Sequence, residues 1–531
     1  MEPQDFVARI PARWVRNTVV VREGADLRCE VEAHPESLPQ LCGWVQMMGF
    51  VFAGLIVEQL EHWHARYVFY PTGAEAPELG ASWIHLLVVQ PLARTTLPSI
   101  TKVVPAADWH EREAQDQFGL TFDSHPRLGD FVLHAGAWPE DLNPMRRGFD
   151  GGADVGPRVL GSAWRPHRMV QAEGAFAMPI GPVYAGVSES AHFLLETVGE
   201  DVIRAAPRFY YKHRAVEKLA EGRWPKDVLL LAERFNGISA FAHGLAFAQA
   251  LEGIDNLKVP PRAQALRTLL AELERLRHHS GLIHDICEST ALTVGASQAA
   301  ILEEELLRLC GSLTGHRYLF GLLACGGLTR DFEDSQVSAA ALRAGDIVRR
   351  LVRLEANLIR TSSFLDRLEE VGVITDAHAL TYGLVGPLAR ASGLSRDLRQ
   401  VQPYAAYGRC AFDVPTEKEG DGYARLRVLF AEARQSLRII EQAQAALPSG
   451  PVRDFSMPVT SGAALGWTEA PLGAAFHWVR IDNSGRVSRY RITPPSFVNW
   501  HAFHLAAEGF AFQDFPIILA SVGLSVAEND R

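Results

Sequence analysis

Arg262-Ala-Gln-Ala-Leu-Arg-Thr-Leu-Leu-Ala-Glu-Leu-Glu-Arg-Leu-Arg-His-His-Ser-Gly-Leu-Ile-His-Asp-Ile286 places Leu266, Leu269, Leu270, Leu273, Leu276 and Ile283 at three- and four-residue spacing. That is the signature of one buried face of a long helix. Similar spacing recurs over 229–251, 297–313, 339–368 and 425–446, so the later part of the chain is expected to be a long-helix bundle. The charged residues between 262 and 277 read as mostly a solvated face. Upstream the pattern changes. Ala65–Tyr70 and Trp83–Val89 are apolar runs of strand length, set against one amphipathic helix candidate, Leu38–Gln59. Between Gly129 and Met178 the composition turns to Gly, Pro, Arg and Trp without usable periodicity, which predicts a linker. Late in the chain, alternation around Phe476–Ile481 and a turn-like Asp482-Asn-Ser-Gly485 predict a hairpin before a last helix. The expected fold class is α+β: a mixed domain over 1–130, a linker over 131–178 and a large, mainly helical domain over 179–531.

The chain has 531 residues, 47% hydrophobic and 21% charged, more than one hydrophobic core usually accommodates. Its formal net charge is -10, so nucleic acid is an unexpected partner. No apolar run is long enough to cross a bilayer, and the opening MEPQDFVARIPARWV does not read as an export signal. The cytoplasm is therefore expected. Cys29, Cys42, Cys287, Cys310, Cys325 and Cys410 include no C-x-x-C pair, which argues for free buried thiols over a disulfide framework, a zinc ribbon or a cluster-binding loop. Gly151-Gly152 lacks the arrangement that cradles phosphates.

Two groups of motifs carry a resemblance. Trp109-His-Glu-Arg-Glu-Ala-Gln-Asp-Gln-Phe-Gly119, followed by His125-Pro126, resembles the signature of the C subunit of bacterial complex I, where the segment docks neighbouring subunits. After Met178, Ile180-Gly-Pro-Val-Tyr184, His213-Arg-Ala-Val-Glu-Lys218, Glu233-Arg234, Ala242-His243, Glu272-Leu-Glu-Arg-Leu276, Arg396-Asp-Leu-Arg399, Glu469-Ala-Pro471 and Pro495-Ser-Phe-Val-Asn-Trp500 follow the order of the formate hydrogenlyase large subunit. The chain thus resembles a fused large subunit of the formate hydrogenlyase and hydrogenase-4 type, within the superfamily of membrane-bound nickel-iron hydrogenases and complex I.

The resemblance implies a peripheral subunit on the inner face of the cell membrane. Its implied partners are a small iron-sulfur subunit that holds a four-iron cluster, a ferredoxin-like subunit, and antiporter-like and H-subunit-like membrane proteins. It also implies two C-x-x-C pairs for nickel, because soft thiolates hold that centre. Here Asn236 and Ser239 stand in for the first pair, and no cysteine remains near the last residues in any register. Leu472 replaces the arginine of the family's Ala-Pro-Arg-Gly turn. Nickel is therefore not expected, and no cofactor bound by this chain is predicted. A quinone or another small acceptor is the alternative occupant, with Tyr184, Asn236, Gly237 and Ser239 as candidate cavity residues. The enzyme expectation is an oxidoreductase subunit that is not itself a nickel-iron hydrogenase; the alternative is a catalytically silent scaffold.

Glu189, His243 and His279 are candidates for a proton relay or interface contact. Their plainer readings are a surface acid, a buried hydrogen-bonded histidine and an interface hydrogen bond. His278 and His279 point about 100° apart on a helix and are not expected to chelate together. Arg234, Arg390, Arg396, Asp397 and Arg399 are assigned structural roles, the last four as buried ion pairs supporting the cavity.

Overall fold

The computed structural model describes residues 3–23, 26–72, 82–134, 137–139, 142–152, 170–183, 189–455 and 460–531. Tyr184 and part of the expected linker, 153–169, lie outside them. The first sheet has the order Val15–Glu23, Asp26–Ala33, Ser82–Pro91, His62–Pro71, Phe50–Gln59. Its neighbours run antiparallel except for Asp26–Ala33 beside Ser82–Pro91. Val31, Leu41, Val45, Tyr67, Phe69, Leu86 and Phe118 form one core there with the helices Leu38–Met47 and Asp108–Phe118.

The single helix expected over 38–59 is instead that ten-residue helix and the strand Phe50–Gln59. Gly49, at φ +89°, separates them. The strand is buried along nearly its whole length, so its sequence shows no polar alternation, and periodicity alone does not tell such a run from a helix. The 229–251 pattern likewise divides into Pro225–Arg234 and Ala240–Ile254, a break that makes the loop described below.

The helix Pro261–Ser289 is the axis of the second core and packs against Thr293–Thr314 and Gly422–Ala445. Its charged residues are not a solvated face: Arg262, Arg267, Glu272, Glu274, Arg275 and Arg277 are all buried. Enclosed on all sides over 262–280, the helix needs partners for every charge there, and these have them. Arg267 donates to Glu252 at 2.6 and 3.0 Å, and Arg275 to the carbonyls of Glu469 and Ala470.

A three-stranded antiparallel sheet, Gly462–Ala470, Gly473–Ile481 and Val487–Thr493, lies under the helix Ala240–Ile254. Gly466 makes that approach possible, because a Cβ there would run into the carbonyl oxygen of Ala246 and lie 2.7 Å from the amide nitrogen of Ala250. Gly466→Ala is expected to destabilise the chain by about 1–3 kcal/mol, the usual cost of overpacking, measured as a lower urea midpoint with an unchanged m-value. Among the described residues no helix is long and apolar enough to cross a membrane.

Candidate functional site

The helix Pro225–Arg234 stops at Arg234, and the chain turns through Phe235–Ser239 before Ala240–Ile254 begins. Asn236 Oδ1 accepts from Ile238 N at 2.9 Å, a short turn that holds Asn236 inward. Arg277, from the central helix, donates to the carbonyls of Gly237 and Ile238. The loop therefore has two faces. Asn236 and Ser239 are 3% and 0% exposed, whereas Arg234 and Gly237 are at the surface.

The buried face closes on Glu528. Its Oε1 accepts from Asn236 Nδ2 at 2.7 Å, Ser239 Oγ at 3.4 Å and His243 Nε2 at 3.2 Å. Its Oε2 accepts from Ser496 N at 2.9 Å. A line of rings continues inward, with His243 Nδ1 2.9 Å from His477 Nε2 and His477 Nδ1 2.8 Å from Tyr490 Oη. Burial, with His243 and Arg531 nearby, pushes the His477 imidazole well below its ordinary pKa. Burial and Glu217 push the Tyr490 phenol well above its own. Both are neutral near pH 7. One tautomer assignment then satisfies every contact: Tyr490 donates to His477, His477 to His243, and His243 to the Glu528 carboxylate. Such a one-directional line can pass a proton between its ends by tautomer exchange.

His243 is thus a fully buried member of this line. Glu189 is not in it: partly exposed, it pairs with Arg214 at 3.1 Å, and Arg214 N donates to Asp530 O near the end of the same segment that carries Glu528. His279 is 0% exposed, with its Nε2 2.8 Å from Glu432. Its Nδ1 also lies 3.1 Å from His278 Nδ1, so side-chain rotation brings together two rings that backbone geometry alone directs apart.

Glu432 belongs to a second buried group. Arg390 donates to Glu432 at 2.6 Å, Glu469 at 2.9 Å and the Arg396 carbonyl at 2.8 Å. Arg399 donates to Asp397 at 2.6 Å and Glu272 at 3.0 Å, and Glu272 also accepts from Tyr407 and Ser436, each at 2.6 Å. Burial opposes charge here, but Arg390 and His279 hold the Glu432 carboxyl well below the usual range. Glu469 is shifted the other way, by burial and then by Asp397. Arg396 is itself buried. Arg234, in contrast, lies outside this group, with its guanidinium over the Phe320 ring at 5.7 Å.

Of the four candidate cavity residues, Tyr184 lies outside the described residues, and the other three do not share one face of the loop. Asn236 and Ser239 are packed against Glu528, and Gly237 faces out. A cavity of about 740 Å³ lies elsewhere, at the junction of the two cores, among residues that include Leu55, Glu113, Gln117, Trp138, Lys218 and Arg491. Among the described residues, the set of three metal-ligating side chains that come together is His284, Asp285 and Glu288, on the outside of the central helix. Leu472 is buried and lines a small cavity together with Leu282, Pro387 and Leu388.

Glu528, His477 and Tyr490 were not singled out from the sequence. His477 carried a usable signal, since it lies among apolar residues in a strand buried along nearly its whole length. Glu528 carried none, because its role depends on a segment that returns from nearly 300 residues away.

Comparison with known proteins gives the family. The family described as the 49 Kd subunit of respiratory-chain NADH dehydrogenase matches residues 297–459 and 453–531, and the 30 Kd subunit family matches 31–155. The nickel-dependent hydrogenase family matches 214–284. Formate hydrogenlyase subunit 5 of Escherichia coli (strain K12) is 31% identical over 453 residues, which is 85% of this chain and 79% of that protein. Hydrogenase-4 component G of the same organism is 29% identical, covering 87% and 80%. The C/D subunit of NADH-quinone oxidoreductase from Bdellovibrio bacteriovorus is 28% identical, covering 82% and 83%. Among solved structures, a chain of the membrane-bound sulfane sulfur reductase, an archaeal respiratory membrane complex, superposes with a TM-score of 0.64 at 28% identity, covering 68% of this chain and 99% of that one.

Proposed function

Since this chain belongs to the family of formate hydrogenlyase subunit 5, hydrogenase-4 component G and the fused C/D subunit of NADH-quinone oxidoreductase, we propose that it is the large subunit of a membrane-associated oxidoreductase complex that couples electron transfer to ion translocation without nickel. The observation that carries the reading is the Glu528 cluster. Where the family's hydrogenases require thiolates, Asn236 and Ser239 converge with His243 on a carboxylate. An amide, a hydroxyl, a carboxylate and an imidazole are harder donors than a nickel-iron centre demands. The residues present do not fit that group.

In this reading electrons arrive from a four-iron cluster in a small partner subunit, and the acceptor is a quinone or another small molecule bound between the two subunits. The exposed Arg234 and Gly237 supply this chain's share of that boundary, and Arg277 fixes the backbone there. The acceptor needs protons as well as electrons. The Glu528–His243–His477–Tyr490 line is suited to move them, because His243 and His477 each accept on one ring nitrogen and donate from the other. The ferredoxin-like subunit and the antiporter-like and H-subunit-like membrane proteins complete the assembly on the inner face of the membrane.

The intact complex in membranes is expected to contain substoichiometric nickel and to evolve no hydrogen, while reducing a quinone or a sulfane sulfur compound at the expense of a donor. Stoichiometric nickel, or hydrogen evolved at this subunit, overturns the reading. The mutual satisfaction of the Glu528 cluster, with no polar atom of Glu528 or His243 left unpaired, favours one rival: a silent scaffold. Failure of every acceptor, in a complex that still assembles, decides for that rival.

A further inference from the structure

We infer that Glu233 is a proton-holding group beside the Arg234–Ser239 loop, a buried acid that keeps its proton until negative charge develops on an acceptor at that surface. The inference rests on the acceptor-reducing role proposed above and adds a second proton source, distinct from the Glu528 line. Glu233 lies in the last turn of the helix that leads into the loop and is 1% exposed. One carboxyl oxygen, Oε2, accepts from Gly321 N at 3.0 Å. The other, Oε1, has no partner. Among the described residues no ion pair reaches it.

The space it occupies is made by a glycine. A Cβ at Gly244, in the middle of Ala240–Ile254, would lie 2.7 Å from Glu233 Cγ and 2.8 Å from Leu323 Cδ1. A mid-helix glycine costs about 0.5–1 kcal/mol relative to alanine, so room for the carboxyl is kept against helix propensity. The groups that face Glu233 are few. Gly244 comes from the helix, and Gly321 and Leu323 come from the loop opposite, with two backbone N–H groups. His243, on the same helix, is engaged with Glu528 and His477. Arg234 is the one cation that acts on it, at a distance and from over the Phe320 ring.

A carboxyl in such a place favours its neutral form, because burial penalises the charge and no cation in contact repays it. Burial raises it to about 7, against the opposing pull of the Gly321 N–H and Arg234. Both forms are then accessible at neutral pH, as a proton donor requires. Gly321 is itself exposed, so Glu233 lies just beneath the surface and can be recharged from water. In the step proposed, an acceptor oxygen or sulfur that has gained electrons from the partner cluster forms a bond to hydrogen. The Glu233 O–H bond breaks, its electron pair stays on the carboxylate, and a water-borne proton restores the acid.

The test is infrared spectroscopy of the intact complex as a function of pH, read as the difference between wild type and Glu233→Gln. Glu111 and Glu274 also titrate near 7 but remain in both proteins and cancel. A protonated-carboxyl band that titrates with a midpoint near 7 and is absent from the variant is expected. So is a loss of about 10²-fold in acceptor reduction near neutral pH, together with loss of the inflection near 7 in its pH profile. Superimposable spectra would mean that Glu233 is ionised throughout and overturn the inference. Should Glu233→Gln not assemble, Glu233→Asp is expected to keep the band with a displaced midpoint, and an undisplaced band overturns it equally. Because the infrared signal does not need turnover, a missing acceptor activity in wild type counts against the proposed function and leaves this test standing.

Discussion

Replacing Arg390 by alanine is expected to destabilise the chain by about 3–5 kcal/mol, the cost of removing one partner from a buried ion group. The size follows from what is left behind. Glu432 and Glu469 each lose a donor within 3 Å, and the Arg396 carbonyl loses one as well. All of these groups are inaccessible to water, so nothing takes the guanidinium's place. The pH dependence has a definite sign. In the folded wild type the Glu432 carboxyl is held below its ordinary pKa, first among its opposing charges by Arg390. Its contribution to stability is therefore present above about pH 4.3, the ordinary glutamate value, and is lost as pH falls through the folded pKa. The gap between wild type and Arg390→Ala should narrow as the solution is acidified, because protonated acids no longer need the missing cation. Urea unfolding at neutral and acidic pH measures both. A neutral-pH difference below about 1 kcal/mol would show that the group is held by something other than its charges.

That network marks where the sequence was readable and where it was not. The helix Pro261–Ser289 was legible from its leucines alone, since a three-and-four rhythm means one buried face whatever lies opposite. What lay opposite was not legible. Arg267, Glu272, Arg275 and Arg277 occupy the positions that solvent takes on an ordinary amphipathic helix. Here their partners, Glu252, Arg399, the Glu469 carbonyl and the Gly237 carbonyl, come from other elements, between 15 and 194 residues away. Periodicity reports which side is apolar and is silent on whether the polar side meets water or other protein. The same limit explains Phe50–Gln59, a strand covered on both faces whose sequence carries no alternation.

The candidate site divides along a similar line. Asn236, Ser239 and His243 were found because a short motif with fixed spacing points to them. The fold then joins all three to one carboxylate. Glu189 was placed by the same motif order and pairs instead with Arg214, because position along the sequence does not specify the direction of a side chain. Glu233 sat in plain view beside Arg234 as part of a recognisable pair. Its unusual environment depends on Gly244, eleven residues on, and on a loop almost ninety residues on.

The sharpest test of the Glu528 line is Glu528→Gln, which keeps the shape and removes the ability to take and return a proton. Acceptor reduction by the intact complex is expected to fall about 10²–10⁴-fold, the range for loss of a positioned acid or base. The geometry also fixes a smaller structural cost. Oε1 receives Asn236, Ser239 and His243, and Oε2 receives Ser496 N. A carboxamide has only one acceptor oxygen, so in either orientation its NH2 meets at least one donor. A destabilisation of about 1–3 kcal/mol follows, too little to prevent folding of a chain with ordinary stability. Glu189→Gln serves as the control, because its partly exposed pair with Arg214 is worth about 0–1 kcal/mol and lies outside the line. If Glu528→Gln assembles with wild-type turnover, the line carries no protons and the cluster is packing alone. A large loss of turnover with assembly intact and stability lowered by no more than about 1–3 kcal/mol, absent from Glu189→Gln, leaves proton delivery as the role of the carboxylate.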